Sequence, residues 1–328
     1  MTSTPAPPPD RAKSGDAFAI PAARKPTLAH RLEYTALRAC IATLTPMGPA
    51  RAAAVGGALG RFAFDVVRIR RQLVERQIAA AFPERDAAWV RARAREAYDN
   101  LGRVAVESVL RAGEAGDSVV SAFTDDGDWD VVRRAHAQGR GVAFLGGHLG
   151  NWELVGAYLA QRLGGVHAIY RGVANPFVDA YFRDVRERLG MHLIRDRESV
   201  RVVPRVFRDG GAVGFLSDQS AVGLASTYVP FFGRPARTPR GAAVFAIRFG
   251  VPVVATHAIR QPDGRYRFVA EDVPVPATGD RERDVDGLML AFNRILERLV
   301  RENPGQYFWH HRRWKYQPAD TPEHLRGP

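Results

Sequence analysis

The sequence has one cysteine, Cys40, in 328 residues, and only three of its 47 basic residues are lysines (Lys13, Lys25 and Lys315). A single thiol excludes an internal disulfide. Its place in an apolar helical pattern predicts a buried, inert side chain, so nothing marks an oxidising compartment. No uncharged apolar run reaches the roughly 18 residues of a spanning helix. Residues 1–26 are rich in proline and small residues and lack an apolar h-region, so they read as a disordered tail rather than a signal peptide. H-E-x-x-H is absent, and the adjacent His310 and His311 lack further ligands, so no metal site is expected. G-x-S-x-G is absent too, and no serine nucleophile elbow is expected. The net charge of +12 favours acidic partners, namely anionic lipid or an acidic carrier. Nucleic acid is not expected, because no helix-turn-helix, zinc-finger or RNA-binding signature is present.

What is present centres on GVAFLGGHLGNWE, Gly141 to Glu153. Val142 to Leu145 is a short apolar run bounded by glycines, the pattern of a strand buried on both faces. Gly146, Gly147 and Gly150 break it, and Asn151 is placed to cap an amphipathic helix running through Trp152, Leu154, Val155, Tyr158 and Leu159. His148 therefore falls in a strand-to-helix turn, where α/β folds put their chemistry. Glu153 lies five residues on. On one regular helix the two side chains would diverge by about 140°. With His148 in the turn and Glu153 in the first helical turn they can meet, the carboxylate holding one imidazole nitrogen and leaving the other to take a proton. The plain alternative is a structural histidine followed by a helix-capping acid.

Along the rest of the chain, helical periodicity covers 32–44, 51–69, 72–82 and 86–111. The second of these carries Gly56 and Gly60, which permit close helix contact. Strands are expected at 166–170, 192–194 and 212–216, with helices from Asn175 to about Leu189 and over 200–207. Alternating strands and helices imply a mainly parallel sheet. Asp218 and Gln219 follow a strand's carboxyl end, a position for ligand contact or for a turn-capping acid. Thr238-Pro239 reads as a helix start, with Arg234, Arg237 and Arg240 around a possible phosphate site or an ordinary capped helix. Val251–Ile259 and Tyr266–Ala270 read as an edge hairpin, followed by a helix over 285–301. Gln306 to Lys315, QYFWHHRRWK, suits either a membrane-interface belt or a segment that packs down.

His148 and Glu153 match an H-x4-D/E motif, and the chain resembles the lysophospholipid acyltransferase superfamily. It is most similar to the lipid A late acyltransferases (lauroyl and myristoyl transferases). Tyr170-Arg171 with Asn175-Pro176, Asp218-Gln219, VPFFGRPARTPRG from Val229 to Gly241, and QYFWHHRRWK carry this resemblance in order. It implies an α/β fold, with a mainly parallel mixed sheet flanked by helices as in glycerol-3-phosphate acyltransferases. A membrane-associating helical region over 27–115 would precede the acyltransferase domain at 116–318 and a tail at 319–328. The resemblance also implies O-acyl transfer from an acyl thioester to a membrane glycolipid. Acyl carrier protein is the expected donor, CoA the alternative, and no further cofactor is expected. His148 would be the base and Glu153 its orienter, with turn amides as oxyanion donors. Asn151, Arg171, Asp218, Gln219, Phe232, Gly233, Thr238, Arg240, Arg312 and Arg313 are the implied substrate contacts. The family's membrane anchor has no counterpart here, so peripheral or monotopic binding at the cytoplasmic face of the inner membrane is expected. A lipid-ester hydrolase, or transfer to another glycolipid or a phospholipid, remains the alternative.

Overall fold

The computed structural model describes residues 26–110, 116–124, 127–220 and 223–328. The disorder expected over 1–26, up to residue 25, and the last residue of the helical stretch expected over 86–111 fall outside them. Val142–Gly146 forms β1, buried along its whole length. Its side chains alternate between faces, as a strand's must. Val142 and Phe144 join one core and Ala143 and Leu145 the other. The sheet has the order β3-β2-β4-β1-β7-β8, where β2 is Val166–Tyr170, β3 Met191–Arg195, β4 Ala212–Leu216, β7 Val253–Arg260 and β8 Tyr266–Asp272. All pairs are parallel except β7–β8, the expected edge hairpin. Helices α5 (Gly116–Ser121), α6 (Trp129–His136) and α7 (Trp152–Leu163) cover one face. On the other lie α9 (Ser199–Arg208), α10 (Gly241–Phe249) and α11 (Arg281–Glu302). The fold is thus α/β with a mainly parallel mixed sheet, and β1 stands where the chain order reverses, the usual ligand crevice.

Before the sheet come α1 (Leu28–Leu44), α2 (Pro49–Phe62), a π-helical turn at Ala63–Val67, α3 (Arg71–Ala81) and α4 (Ala87–Leu110). Helices α2 and α4 touch backbone to backbone. A Cβ on Gly56 or Gly60 would overlap the carbonyl oxygens of Gly102 or Tyr98. By contrast α1 buries only Leu44. It rests on α8 (Pro176–Arg188) through Tyr34 stacked on Phe177 and through Asn175, the α8 N-cap, which donates to the His30 carbonyl and to Glu33.

Two sequence expectations change, and one choice left open is decided. Cys40 is exposed, because α1 turns little of its apolar stripe to the core. Thr238-Pro239 ends a strand and does not start a helix: β5 (Ser226–Phe231) and β6 (Arg234–Pro239) make an antiparallel hairpin, and α10 begins at Gly241 with Arg240 at its N-cap. The alternation of buried Thr227, Val229 and Phe231 with outward Tyr228 and Pro230 marks β5, a period-two signal legible in the sequence. Finally, the aromatic tail packs down, with Tyr307, Trp309 and Trp314 buried. Gln77 of α3 donates to the carbonyls of Trp309 and His311 and accepts from the Arg313 amide.

Candidate active site

The turn after β1 is pinned on every side. The Gly150 amide donates to the Gln306 carbonyl (3.0 Å) and the Asn151 amide to the Ala258 carbonyl (2.9 Å), while Phe308 N–H donates to the His148 carbonyl (2.9 Å). Gly150 has φ +65°, and a Cβ there would run into the Ala258 carbonyl. Only glycine allows the approach. Asn151 caps α7 as expected, its Oδ1 accepting from Leu154 N–H at 3.0 Å.

His148 projects from this turn into a cleft of about 640 Å³. Its Nδ1 lies 2.7 Å from Asp218 Oδ1, and its own amide donates to Asp218 Oδ2 at 2.9 Å. Asp218 stands just past the end of β4 and is 1% exposed. Burial alone would raise its carboxyl. The imidazole, its two hydrogen bonds and the Arg313 guanidinium outweigh that and hold it at about 2. An ionised acceptor fixes the Nδ1–H tautomer and leaves Nε2 as the basic nitrogen. Trp152 and Phe308 flank the ring at 5.0 and 6.0 Å between centroids.

Glu153 does not occupy the place expected for it. Its carboxylate is held by Arg186, Nε to Oε2 at 2.9 Å and Nη2 to Oε1 at 2.6 Å. From the first turn of α7 it faces α8 across the outer wall of the cleft. The acid on the imidazole comes instead from 70 residues downstream, brought there by the pairing of β4 with β1.

A family model of the bacterial lipid A biosynthesis acyltransferase matches residues 23–316. The chain belongs to this family and is an O-acyltransferase. It is 25% identical to the lipid A biosynthesis lauroyltransferase of Escherichia coli (strain K12) over 82% of this chain and 86% of that protein. It is 26% identical to the palmitoleoyltransferase of the same organism, over 81% of this chain and 85% of that protein. A phosphatidylinositol mannoside acyltransferase of Mycobacterium tuberculosis is 28% identical over 40% of this chain and 42% of its own length.

In this acyltransferase the other expected contacts divide sharply. Arg171, paired with Asp196 at 2.7 Å, and Gln219 line the cleft with His148 and Glu153. Asn151 is buried behind the turn. Arg313 is buried beneath Asp218, donating to the Arg237 carbonyl (2.7 Å) and Thr238 Oγ1 (2.8 Å), so it reaches no substrate phosphate. Thr238 is fully buried as its acceptor. Arg240 is paired with Glu282. Phe232 and Gly233 form the β5–β6 turn, where Phe232 packs on Phe82 and Trp309 away from the cleft. Arg312 is exposed on a separate cavity. Among the described residues no cluster of His, Cys, Asp and Glu is arranged to hold a metal.

A buried polar network behind the turn escaped the sequence reading. Glu107 of α4 binds Arg260 through both oxygens (2.8 and 2.7 Å) and accepts from Tyr266 Oη (2.5 Å) and Asn151 Nδ2 (2.9 Å). Two turns earlier on the same face of α4, Asn100 donates to the carbonyls of Gly150 and Gln306. Asn100 and Glu107 are seven apart on an otherwise apolar helix face, and that was the signal available.

The cleft wall continues outward. A second, largely apolar cavity of about 480 Å³ lies between α1 and α4. It shares Trp152, Glu153, Arg171 and Arg186 with the cleft, and Cys40 stands on its wall.

Proposed function

We propose that the protein moves a fatty acyl chain from an acyl thioester to a hydroxyl of a membrane glycolipid of the lipid A precursor type. The observation that carries this is the His148–Asp218 pair opening into a mostly apolar cleft. His148 Nε2 takes the acceptor hydroxyl's proton as its oxygen attacks the thioester carbonyl. The tetrahedral adduct collapses, expelling a thiolate that receives the proton back. Asp218 holds the tautomer and stabilises the transient imidazolium, and such positioned base catalysis contributes about 10²–10⁴-fold. The amides of His148, Leu149, Gly150 and Asn151 already donate within the protein, so they are not assigned as oxyanion donors. Glu153, with Arg186 and Arg171, shapes the wall along which a chain would lie. The acyl thioester, from acyl carrier protein or CoA, is a co-substrate, and no other cofactor is invoked.

No helix among the described residues is long and apolar enough to cross a membrane. Leu59, Phe62, Val66, Val67 and Ile69 are more than half exposed beside Arg68 and Arg70. This strip supports peripheral binding, proposed at the cytoplasmic face of the inner membrane. The mycobacterial relative's name favours, as a second reading, a different glycolipid acceptor.

The test is transfer by the purified chain from an acyl carrier protein thioester to a lipid A precursor, followed by mass spectrometry. A new ester in the wild type, absent in His148→Ala, is expected. Free fatty acid released at the same rate without acceptor would make the protein a hydrolase and end this reading.

A further inference from the structure

The aromatic tail sends a phenol to the acid that holds His148. Tyr307 follows α11 and pairs with Leu149 of the glycine-framed turn as an isolated antiparallel bridge. Its neighbour Phe308 donates from its amide to the His148 carbonyl at 2.9 Å. The backbone that fixes Tyr307 is therefore the backbone that fixes the base. The Tyr307 side chain is buried, its ring 5.8 Å from Phe231 and 4.8 Å from Trp309 between centroids. Its hydroxyl is shared by Asp218 and Arg313. Burial, and then the charge of Asp218, raises this phenol well above its ordinary value. It keeps its proton, donates to the carboxylate and accepts from the guanidinium.

Arg313 completes the arrangement from below. Its terminal nitrogens donate to the Arg237 carbonyl and Thr238 Oγ1. Neither partner is charged, and a guanidinium buried among neutral groups is costly unless an acid answers it. Asp218, equally buried, is that acid, and the Tyr307 hydroxyl joins the two. Folding alone does not call for such a set, since apolar residues of similar volume would fill the space without the cost of burying charge. Other titratable groups stand near it. His257 of β7 and His311 both feel Asp218, but burial lowers each to about 4, so neither is charged near neutrality. On the cleft side of His148, Glu153 is matched to Arg186 and Asp196 to Arg171. The phenol and the guanidinium thus set how strongly Asp218 pulls on the imidazole.

We infer that Tyr307 is a positioning residue for the transfer reaction: its hydroxyl joins Asp218 to Arg313, holds the carboxylate against Nδ1 of His148 and takes up part of its charge. The inference rests on the acyltransfer reading above and adds a group that acts on the base at one remove. The carboxylate has two tasks here. It must orient the ring, which requires that it be fixed itself. It must also leave Nε2 unprotonated at working pH, which an unshared buried carboxylate would oppose by stabilising the imidazolium. The phenol serves both. It is a third donor to Asp218 besides Nδ1 and the His148 amide, and by drawing charge from the carboxylate it lowers the proton affinity of the ring.

The experiment compares wild type, Tyr307→Phe, Asp218→Asn, their double variant and a control, Tyr181→Phe, which likewise removes one hydroxyl bond, to the Val109 carbonyl at 2.7 Å. Tyr307→Phe keeps the ring against Phe231 and Trp309, and circular dichroism checks each fold. Transfer from an acyl carrier protein thioester to a lipid A precursor is measured across the neutral pH range. The titration of His148 is followed separately by NMR of the imidazole nitrogens, its signal assigned by its loss in His148→Ala. Tyr307→Phe should lower kcat by about tenfold and leave the thioester KM near wild type. The acid limb of kcat/KM and the NMR titration of His148 should both move up by about half a pH unit or more. A fluorotyrosine placed at Tyr307, a stronger donor of nearly the same shape, should move the titration down. The double variant should lose no more than Asp218→Asn alone, because the phenol acts through that carboxylate. The control should match wild type in rate and in titration. A His148 titration that stays in place or falls in Tyr307→Phe overturns the inference, as do losses that add to those of Asp218→Asn or an equal loss in the control. If wild type transfers no acyl chain, the acyltransfer reading fails, and the NMR titrations of Tyr307→Phe and the fluorotyrosine protein still decide whether Tyr307 acts on His148.

Discussion

On the floor of the cleft Asp218 is 1% exposed and bound twice to His148, and Glu107 behind the turn is 6% exposed and bound to Arg260, Tyr266 and Asn151. On the outer wall the Glu153 and Arg186 side chains keep 25% and 23% of their surface, and α1 buries a single residue. The same kind of interaction, an acid on a base, has different consequences in the two places. On the floor, water cannot replace a lost partner, so each group is needed to keep the others charged and oriented. On the wall, solvent screens the pair, and its contribution to stability is about 1 kcal/mol or less. The chemistry is held by rigid, low-dielectric contacts, whereas the surface along which a substrate would lie is built from parts that can adjust.

The comparison breaks most visibly at the floor. His148→Ala should reduce transfer to near background, and Asp218→Asn should reduce it by about 10²–10⁴-fold. Because both serve one proton transfer, the double variant should be little worse than His148→Ala alone. Transfer rates for the three variants decide this, and additive losses would place Asp218 outside the proton's path.

Next in size is the network behind the turn. Glu107→Ala leaves Arg260 buried without its acid, at a cost of about 3–5 kcal/mol. Glu107→Gln should recover part of this, since it keeps hydrogen bonding to Asn151 and Tyr266. Urea unfolding of both variants measures the difference. Equal stability of Glu107→Ala and wild type would show that the turn is held without it.

The wall should respond more weakly. Glu153→Gln and Arg186→Gln should each lower turnover by about tenfold, change stability by about 1 kcal/mol or less, and show no further loss when combined. If Glu153→Gln instead matches His148→Ala in rate, and couples to His148 rather than to Arg186, the division between floor and wall is wrong at its most important residue.

The last prediction concerns pH, and it is read in stability rather than in rate. Burial, and then the charge of Arg70, lowers His310 to about 4, against 6.5 for a free imidazole. Below pH 6.5 the unfolded chain binds a proton that the folded chain refuses. Stability therefore falls as pH drops from about 6.5 toward 4, by about 1.4 kcal/mol per pH unit for one proton. His310→Phe keeps an aromatic ring against Tyr98 and should flatten this slope by about one proton. An unchanged slope in denaturation curves between pH 7 and 4.5 would remove His310 from the acid response. His257, 1% exposed and also lowered to about 4 by burial, should supply a share of what remains.

Local signals carried the parts of this protein that depend on near neighbours. The apolar run at 142–145, the glycine-framed turn, the Asn151 and Asn175 caps, the edge hairpin around Gly264 and the periodicity of α1 to α4 were all legible. Each follows from hydrophobic period or from a side chain meeting its own backbone a few residues away. The alternation that marks β5 was equally legible, but Thr238-Pro239, a common helix opening, competed with it. Tertiary structure decided which acid serves His148. Glu153 was five residues away and Asp218 seventy. Chain distance favoured the first, yet the parallel pairing of β1 with β4 put the carboxyl ends of both strands side by side and delivered the second. The docking of helices and tail, which the sequence does not fix either, buried Arg313 and left Cys40 and Arg312 exposed. A helical or tail residue reads alike in sequence whichever way its element is rolled against the sheet, and only the docking of whole elements fixes that roll.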